Sequence, residues 1–176
     1  MKITILGFSG AGKSTLAAAL GRRYGLPVLH LDRVHFAPGW AERTQPAQQA
    51  DVAAFLDANS ETGWVIDGNY TNLCYDRRLA ESDRILILAF GRWACLRRVM
   101  ERTRRYRGKT RPDMREGCTE KLDAEFVRWV LWAGRTKERR ARFTAVTAAW
   151  PAKAEVLRSQ RDLDRLYRAE NLDPPQ

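Results

Sequence analysis

Gly7-Phe8-Ser9-Gly10-Ala11-Gly12-Lys13-Ser14-Thr15 is the stretch that decides the fold. It satisfies every fixed position of the pattern G-x-x-x-x-G-K-[ST], the spacing of a phosphate-binding P-loop. Residues 2–6 before it are a short apolar run rich in β-branched side chains, and residues 16–20 after it favour a helix. The pattern therefore predicts a strand, a glycine-rich loop and a helix in the order that a P-loop requires.

A loop of this kind binds phosphate mainly through its backbone. Its glycines let several N–H groups and the positive end of the following helix point at a polyphosphate. We predict that Lys13 lies against the β- and γ-phosphates of ATP and that the Ser14 hydroxyl is a ligand of Mg²⁺. The alternative is an ordinary glycine-rich turn between a strand and a helix. The residues predicted to bind ATP are Gly7, Ser9, Gly10, Ala11, Gly12, Lys13, Ser14 and Thr15.

Length and composition favour one globular domain. The chain has 176 residues, of which 44% are hydrophobic and 30% charged, so residues 1–176 can form a single soluble α/β domain. No apolar run approaches the roughly 20 residues that span a bilayer, and no secretory signal opens the sequence. We therefore expect a cytoplasmic protein without a membrane partner. Cys74, Cys95 and Cys118 lack C-x-x-C spacing, so we expect reduced thiols and no zinc site.

The charge balance indicates an anionic partner. The net charge is +10, and arginine is densest in residues 92–115. Two interpretations remain open: arginines that clamp the phosphates of a nucleotide, and a basic surface that lies along nucleic acid.

Two of the predicted strands end in an acidic residue. Residues 26–31 form an apolar run followed by Asp32, and residues 63–67 form another that ends in Asp67. Further strands are predicted at residues 85–90 and 154–157, and the alternation with helices indicates a parallel sheet. At the carboxyl edge of such a sheet, Asp32 can accept a proton from an attacking hydroxyl and Asp67 can bind Mg²⁺ through water. A helix cap and a plain Asp-Gly turn are the respective alternatives, and His30 and His35 receive no role.

Arginines at helical spacing flank a break in the pattern. Arg98 and Arg102 are four residues apart in a helix predicted at residues 93–106, and Arg135 and Arg139 repeat this spacing. Between them, residues 107–113 contain glycine and proline and predict a mobile lid, over about residues 103–120. These arginines either grip phosphates or form a solvated basic face. Trp40, in a turn at residues 37–40, either stacks on an acceptor ring or covers the core.

Several motifs together resemble the adenylate-kinase-like P-loop proteins of the DNA topology modulation, or FlaR-related, family. Beside the P-loop, they are His30-Leu31-Asp32, Pro38-Gly39-Trp40, Trp64-Val65-Ile66-Asp67-Gly68-Asn69-Tyr70 and Tyr106-Arg107-Gly108-Lys109-Thr110-Arg111-Pro112-Asp113-Met114. The resemblance runs from Met1 to about Arg140. It implies a three-layer P-loop NTPase fold with a five-stranded parallel sheet in the order 2-3-1-4-5, an ATP site at the carboxyl edge of the sheet, and a short lid.

The resemblance also implies roles for site residues. Nucleoside monophosphate kinases usually have Asp-Gly-Phe-Pro-Arg where Asn69 and Tyr70 occur here, so Arg78 is the candidate to replace the missing arginine. Arg98 resembles an arginine that lies on adenine, and Arg102 one that reaches phosphate. The predicted acceptor-binding residues are Asp32, Trp40, Asp67, Asn69, Tyr70, Arg78, Arg107, Arg111, Arg135 and Arg139.

The combined expectation is an ATP- and Mg²⁺-dependent phosphotransferase that acts on a small molecule or nucleotide. Lys13, Asp32, Arg98 and Arg102 are its predicted catalytic residues, and Ser14 and Asp67 its metal-binding residues. Three alternatives stay open: a nucleotide-regulated DNA-binding protein, a nucleoside monophosphate kinase, and a nucleotide-binding module without transfer activity.

Overall fold

A five-stranded parallel sheet forms the centre of the structure, a computed structural model in which residues 1–173 are described. Its strand order is β2-β3-β1-β4-β5, which confirms the predicted order 2-3-1-4-5. The strands are β1 (Lys2–Gly7), β2 (Val28–His30), β3 (Trp64–Asp67), β4 (Arg84–Leu88) and β5 (Ala154–Leu157). The sequence also predicts a frayed end at residues 171–176, of which residues 174–176 lie outside the described residues.

Helices cover both faces of the sheet. They are α1 (Lys13–Tyr24), α2 (Leu31–His35), α3 (Gln45–Ala58), α4 (Tyr75–Glu81), α5 (Arg92–Arg105), α6 (Ala124–Leu131), α7 (Lys137–Ala149) and α8 (Gln160–Ala169). Short 3-10 turns occur at Pro38–Trp40 and Ala133–Arg135. In β1, the central strand, Ile3 and Ile5 pack with Leu16 of α1 on one face, and Leu6 packs with Val146 of α7 on the other. Both faces of β1 are buried, so the strand is largely apolar; the exception is Thr4, whose hydroxyl lies 2.7 Å from Ser82 Oγ. The three-layer α/β fold is confirmed.

The strand register brings the P-loop and Asp67 to the same edge of the sheet. Ile5 of β1 is paired with Asp67 of β3, and Gly7 with Leu88 of β4. The P-loop therefore leaves the sheet between the ends of two neighbouring strands, where parallel α/β sheets bind ligands.

Two differences from the predicted element boundaries concern the site. Asp32 lies in the first turn of α2, since β2 ends at His30. The sequence also predicts a helix over residues 71–81, but this helix, α4, begins only at Tyr75. The reason is a turn at residues 71–74 in which Cys74 adopts a left-handed conformation (φ 48°) that interrupts helical geometry.

The segment predicted as a lid begins at the end of α5. Residues 106–123, here the 106–123 loop, are held by isolated bridges between Arg107 and Glu120 and between Thr110 and Thr119. The loop contacts the residues after β2: Trp40 Nε1 donates to Thr119 O (3.2 Å) and Arg115 Nε donates to Arg33 O (2.6 Å). Among residues 1–173, no helix combines the length and the apolar character needed to cross a bilayer.

Candidate active site

The P-loop packs closely against β4 and α5. Gly7 has φ +147°, and a Cβ atom there would lie 2.5 Å from Leu88 O. Gly10 has φ +77°, and a Cβ atom would lie 2.7 Å from Cys95 O of α5. Both positions therefore require glycine, for conformation and for space. Lys13 Nζ reaches back across the loop to Phe8 O (3.3 Å).

Ser14 and Asp67, the two predicted metal-binding residues, are in contact. Ser14 Oγ donates to Asp67 Oδ2 at 2.8 Å, next to the P-loop, and the Asp67 side chain is only 5% exposed. A hydroxyl and a carboxylate are the hard oxygen ligands that Mg²⁺ prefers. The donor set thus fits the predicted metal. Among residues 1–173, no cluster of three or more His, Cys, Asp or Glu side chains is arranged to hold a metal ion.

His30 joins this pair, although the sequence prediction gave it no role. Its Nδ1 lies 2.6 Å from Asp67 Oδ1. Burial alone would lower the pKa of His30, but the hydrogen bond to Asp67 and its negative charge outweigh burial and raise that pKa. His30 ends β2 opposite Asp67 in the sheet register, but a lone histidine at the end of an apolar run is too weak a pattern to predict this contact from the sequence.

Asp32 and Tyr70 form a second polar pair. Tyr70 OH donates to Asp32 Oδ1 at 2.8 Å, and the Tyr70 ring packs beside His35, with ring centroids 4.7 Å apart. Burial, followed by the charge of Asp32, raises the pKa of Tyr70, so the phenol stays protonated and acts as the donor. Trp40 contacts Phe36 edge-to-face, with ring centroids 5.2 Å apart. His35 and Phe36 follow Asp32 by three and four positions, so their rings lie on the side of α2 that carries Asp32.

Asn69 and Arg78 contact backbone. Asn69 Nδ2 donates to Gly7 O (2.7 Å), and Gly7 N donates to Asn69 Oδ1 (3.0 Å). Arg78 has no exposed surface, and it donates to the carbonyls of Leu73 (2.9 Å), Tyr70 (2.7 Å) and Gly68 (3.5 Å). The expectation that Arg78 contacts an acceptor directly does not agree with this placement, because a fully buried guanidinium whose nitrogens already bond carbonyls presents nothing to a ligand.

The two predicted catalytic arginines of α5, Arg98 and Arg102, contact different parts of the structure. Arg98 Nη1 donates to Ala11 O of the P-loop (3.2 Å), and its guanidinium lies 4.0 Å from the centre of the Phe90 ring. Arg102 Nε donates to Glu120 Oε1 at 2.7 Å. Arg98 is thus beside the P-loop, whereas Arg102 is paired with an acid of the 106–123 loop.

Glu120 is a site residue that the sequence prediction missed. Its side chain is 3% exposed, and it also forms an ion pair with Arg111, whose Nε lies 2.9 Å from Oε2. Arg111 reaches Asp113 as well (3.0 Å). Arg107, in contrast, is exposed. No short motif marks Glu120, because its partners lie 18 and 9 positions away.

Arg135 and Arg139 stack on rings around the P-loop. The Arg135 guanidinium lies 4.0 Å from the centre of the Phe8 ring and donates to Phe90 O (2.9 Å). The Arg139 guanidinium lies 4.6 Å from the centre of the Trp129 ring, and Trp129 Nε1 donates to Ser9 Oγ (3.0 Å). Cationic side chains therefore surround the P-loop on the α6–α7 side, as a site for polyphosphate requires.

Comparison with solved structures identifies the fold. Similar structures include TT1252 from Thermus thermophilus (19% identity, covering 96% of this chain and 95% of that chain, TM-score 0.56) and deoxyadenosine kinase from M. mycoides with bound dATP (14% identity, 97% and 100%, TM-score 0.54). A gluconokinase from Sinorhizobium meliloti 1021 is also similar (16% identity, 96% and 88%, TM-score 0.51). The chain has a P-loop kinase-like fold.

At these identities the likeness to P-loop kinases concerns the fold alone. A scan against protein-family models finds no match, and a search of curated proteins finds none either. The activity of this P-loop kinase-like protein must therefore be argued from its own site.

Proposed function

We propose that this protein is an ATP-dependent phosphotransferase that transfers the γ-phosphoryl group of ATP to a small-molecule or nucleotide acceptor. We further propose that it works in the cytoplasm as one domain, with residues 103–120 as the lid, and belongs to the FlaR-related group that its motifs resemble. The observation that carries the proposal is the 2.8 Å contact between Ser14 and Asp67 beside the P-loop. It supports the proposal because a hydroxyl and a carboxylate, the groups proposed to bind Mg²⁺ directly and through water, meet next to the P-loop.

The remaining side chains would divide the work of transfer. Bound Mg²⁺ would neutralise charge on the β- and γ-phosphates. Lys13 would hold the γ-phosphate, and Arg98, Arg135 and Arg139 would stabilise charge around the P-loop. Asp32 would orient the acceptor hydroxyl and take its proton. The 106–123 loop, with Arg107, Arg111 and Arg102 at its base, would exclude water when phosphates draw it closed.

A turnover assay tests this proposal. ATP and Mg²⁺ are supplied with a panel of nucleosides, nucleoside monophosphates and hydroxylated metabolites, and ADP and phosphorylated product are measured. We expect transfer to one acceptor class, and a loss of about 10²-fold or more in Lys13→Ala, because one preorganised contact to the transferred group is removed. Unchanged turnover in Lys13→Ala would refute the mechanism. ATP binding without transfer to any acceptor would refute the function.

One observation favours a second candidate function, a nucleotide-regulated nucleic-acid-binding protein. The outer face of α5 exposes Trp93 (67%) and Met100 (51%), and Arg97 and Arg104 lie on the same face at i+4 and i+11 from Trp93. We call these four residues the Trp93 stripe. Exposed aromatic rings among arginines suit single-stranded nucleic acid, because bases stack on the ring and phosphates pair with guanidinium groups.

Salt dependence tests this second candidate. Affinity for a single-stranded oligonucleotide should fall about tenfold or more between about 50 and 200 mM salt, as expected for a few phosphate contacts. Trp93→Ala should weaken binding about tenfold, the scale of one lost stacking contact. Trp132→Ala, at another exposed tryptophan, is the control. Absence of binding near physiological salt, or an affinity independent of salt, would rule the candidate out.

A further inference from the structure

The turn at residues 68–70, directly after β3, contacts both halves of the candidate site. Asn69 reaches Gly7 at the start of the P-loop, and Tyr70 reaches Asp32 on α2. Building on the proposed phosphotransferase function, we propose that Asn69 and Tyr70 are positioning residues: they fix the P-loop and Asp32 relative to each other and do not bind substrate themselves.

Asn69 continues the pairing of β1 with β3 by means of its side chain. The backbone ladder runs through the Ile5–Asp67 pair and ends where Gly68 N donates to Ile5 O (3.1 Å). The Asn69 carboxamide supplies the next pair of hydrogen bonds, one donated to Gly7 O and one accepted from Gly7 N. On the other side, Phe8 N donates to Leu88 O of β4 (3.2 Å). The first two residues of the P-loop are therefore fixed by both neighbouring strands.

Few side chains can replace this carboxamide. Aspartate keeps the acceptor for Gly7 N but has no donor for Gly7 O, and alanine has neither. The Asn69 carboxamide places an N–H donor beside a C=O acceptor, as a backbone peptide group does. The oxygen and the amino group of the Asn69 carboxamide each bond to Gly7, which is why we assign Asn69 a positioning role in place of the predicted acceptor-binding role.

Tyr70 aligns Asp32 for the proposed proton transfer. The phenol donates to Oδ1 of Asp32, and we assign the other carboxylate oxygen, Oδ2, to the proton transfer. In the transfer, the acceptor oxygen forms a bond to the γ-phosphorus while the bond from that phosphorus to the β–γ bridging oxygen breaks. ADP leaves, and the proton of the acceptor hydroxyl passes to Oδ2. Tyr70 keeps that oxygen turned toward the acceptor.

Arg78 holds the turn from inside the protein. It donates to the carbonyls of Gly68 and Tyr70, the residues on either side of Asn69. Asn69 and Tyr70 are consecutive residues, with Cα atoms about 3.8 Å apart. Only a few backbone torsions therefore separate the two positioning side chains. Such a short connection suits in-line transfer, which needs the reacting atoms about 3–3.5 Å apart.

The Asn69 half is tested without any acceptor, by hydrogen exchange of the Gly7 amide measured by NMR and by ATP affinity measured by calorimetry. In Asn69→Ala we expect the Gly7 amide to exchange at least about tenfold faster and ATP to bind about tenfold more weakly, the scale of one lost buried hydrogen bond. Asn69→Asp should lie between the two, since it keeps the acceptor. Asn59→Ala is the control: Asn59 Nδ2 donates to Phe55 O (2.8 Å) at the far end of α3, so its loss should affect neither readout.

The Tyr70 half is tested by the phosphoryl transfer rate. Tyr70→Phe should bind ATP within about twofold of the parent but transfer phosphate about tenfold more slowly. In an Asp32→Asn background the same change should have no further effect, because Tyr70 acts through Asp32.

Three outcomes separate the proposals. Unchanged Gly7 exchange and ATP affinity in Asn69→Ala would overturn the positioning role of Asn69. A Tyr70→Phe variant that raises only the acceptor KM, with kcat intact, would show direct binding and overturn the role of Tyr70. If the parent protein transfers phosphate to no acceptor, the proposed function fails, while the Gly7 and ATP-binding readouts still decide whether Asn69 positions the P-loop.

Discussion

Arg78 illustrates, at the scale of one residue, a charged side chain used as an internal support. Burial lowers its pKa to about 10, which keeps the guanidinium protonated near neutral pH. Its three carbonyl partners all belong to the segment between β3 and α4. A cation that is solvated by carbonyls in this way can hold a turn that has no regular secondary structure.

Removing this support should destabilise the protein markedly. Arg78→Met should lower the free energy of unfolding by about 3 kcal/mol, since buried carbonyls lose their donors. The adjacent Arg77 is the matched control: it is partly exposed and pairs with Asp57 and Glu81, so Arg77→Ala should cost less than about 1 kcal/mol. Urea denaturation of the three proteins gives both values. Equal losses in the two variants would contradict the assigned role of Arg78.

At the scale of an element, the 106–123 loop is anchored to α5 by one buried acid. Glu120 pairs with Arg102 and Arg111. Burial, together with the positive charge of Arg111, lowers the pKa of Arg102, and the negative charge of Glu120 opposes this. The loop thus depends on Glu120 to balance two guanidinium groups that are largely removed from water.

Glu120→Gln should therefore loosen the loop without unfolding the sheet. Loss of the counter-charge leaves Arg102 and Arg111 uncompensated, which raises the population of locally open states. We expect trypsin to cleave after Arg107 and Lys109 about fivefold faster or more. Glu116→Gln, at an exposed position of the same loop, should cleave at the parent rate. Matching rates in all three proteins would refute the anchoring role.

At the scale of the whole molecule, Glu170 connects the end of α8 to the first half of the chain. It accepts hydrogen bonds from Tyr24 of α1 and from Arg84 of β4, the latter at 2.6 Å. Burial alone would raise the pKa of Glu170, but these two hydrogen bonds and the charge of Arg84 lower it. Because the folded-state pKa is the lower one, the contact stabilises the fold above the unfolded-state pKa of about 4.3.

This contact predicts a pH-dependent contribution to stability. At pH 7, Glu170→Gln should lower the free energy of unfolding by about 1 kcal/mol, a modest value because solvent screens a partly exposed pair. The difference from the parent should shrink as the pH falls from about 4.3 through the folded-state pKa. Glu155, 3.4 Å from Arg84 and half exposed, supplies the control Glu155→Gln, with a smaller effect. A difference that persists at low pH would contradict the assignment.

The fold was predictable because its signals are local. The P-loop spacing, the apolar runs that became β1, β3, β4 and β5, and the alternation of strands with helices each lie within a few residues of one another. The prediction that Asp67 lies at the carboxyl edge of the sheet followed from the rule that ligand-binding residues of parallel α/β sheets follow the strand ends. The start of α4 was misplaced because a left-handed Cys74 leaves no signature in residue type.

By itself, the sequence determined the α/β class and the edge that carries the P-loop, and the strand order followed from the family that its motifs resemble. Only the tertiary structure decided that Asn69 bonds to Gly7, that Tyr70 bonds to Asp32, that Arg78 is buried and that Glu120 joins Arg102 to Arg111. The physical reason is range: periodicity and glycine spacing act over a few residues, whereas Asn69 and Gly7 are 62 positions apart. Which polar groups meet over such distances depends on packing of the whole chain.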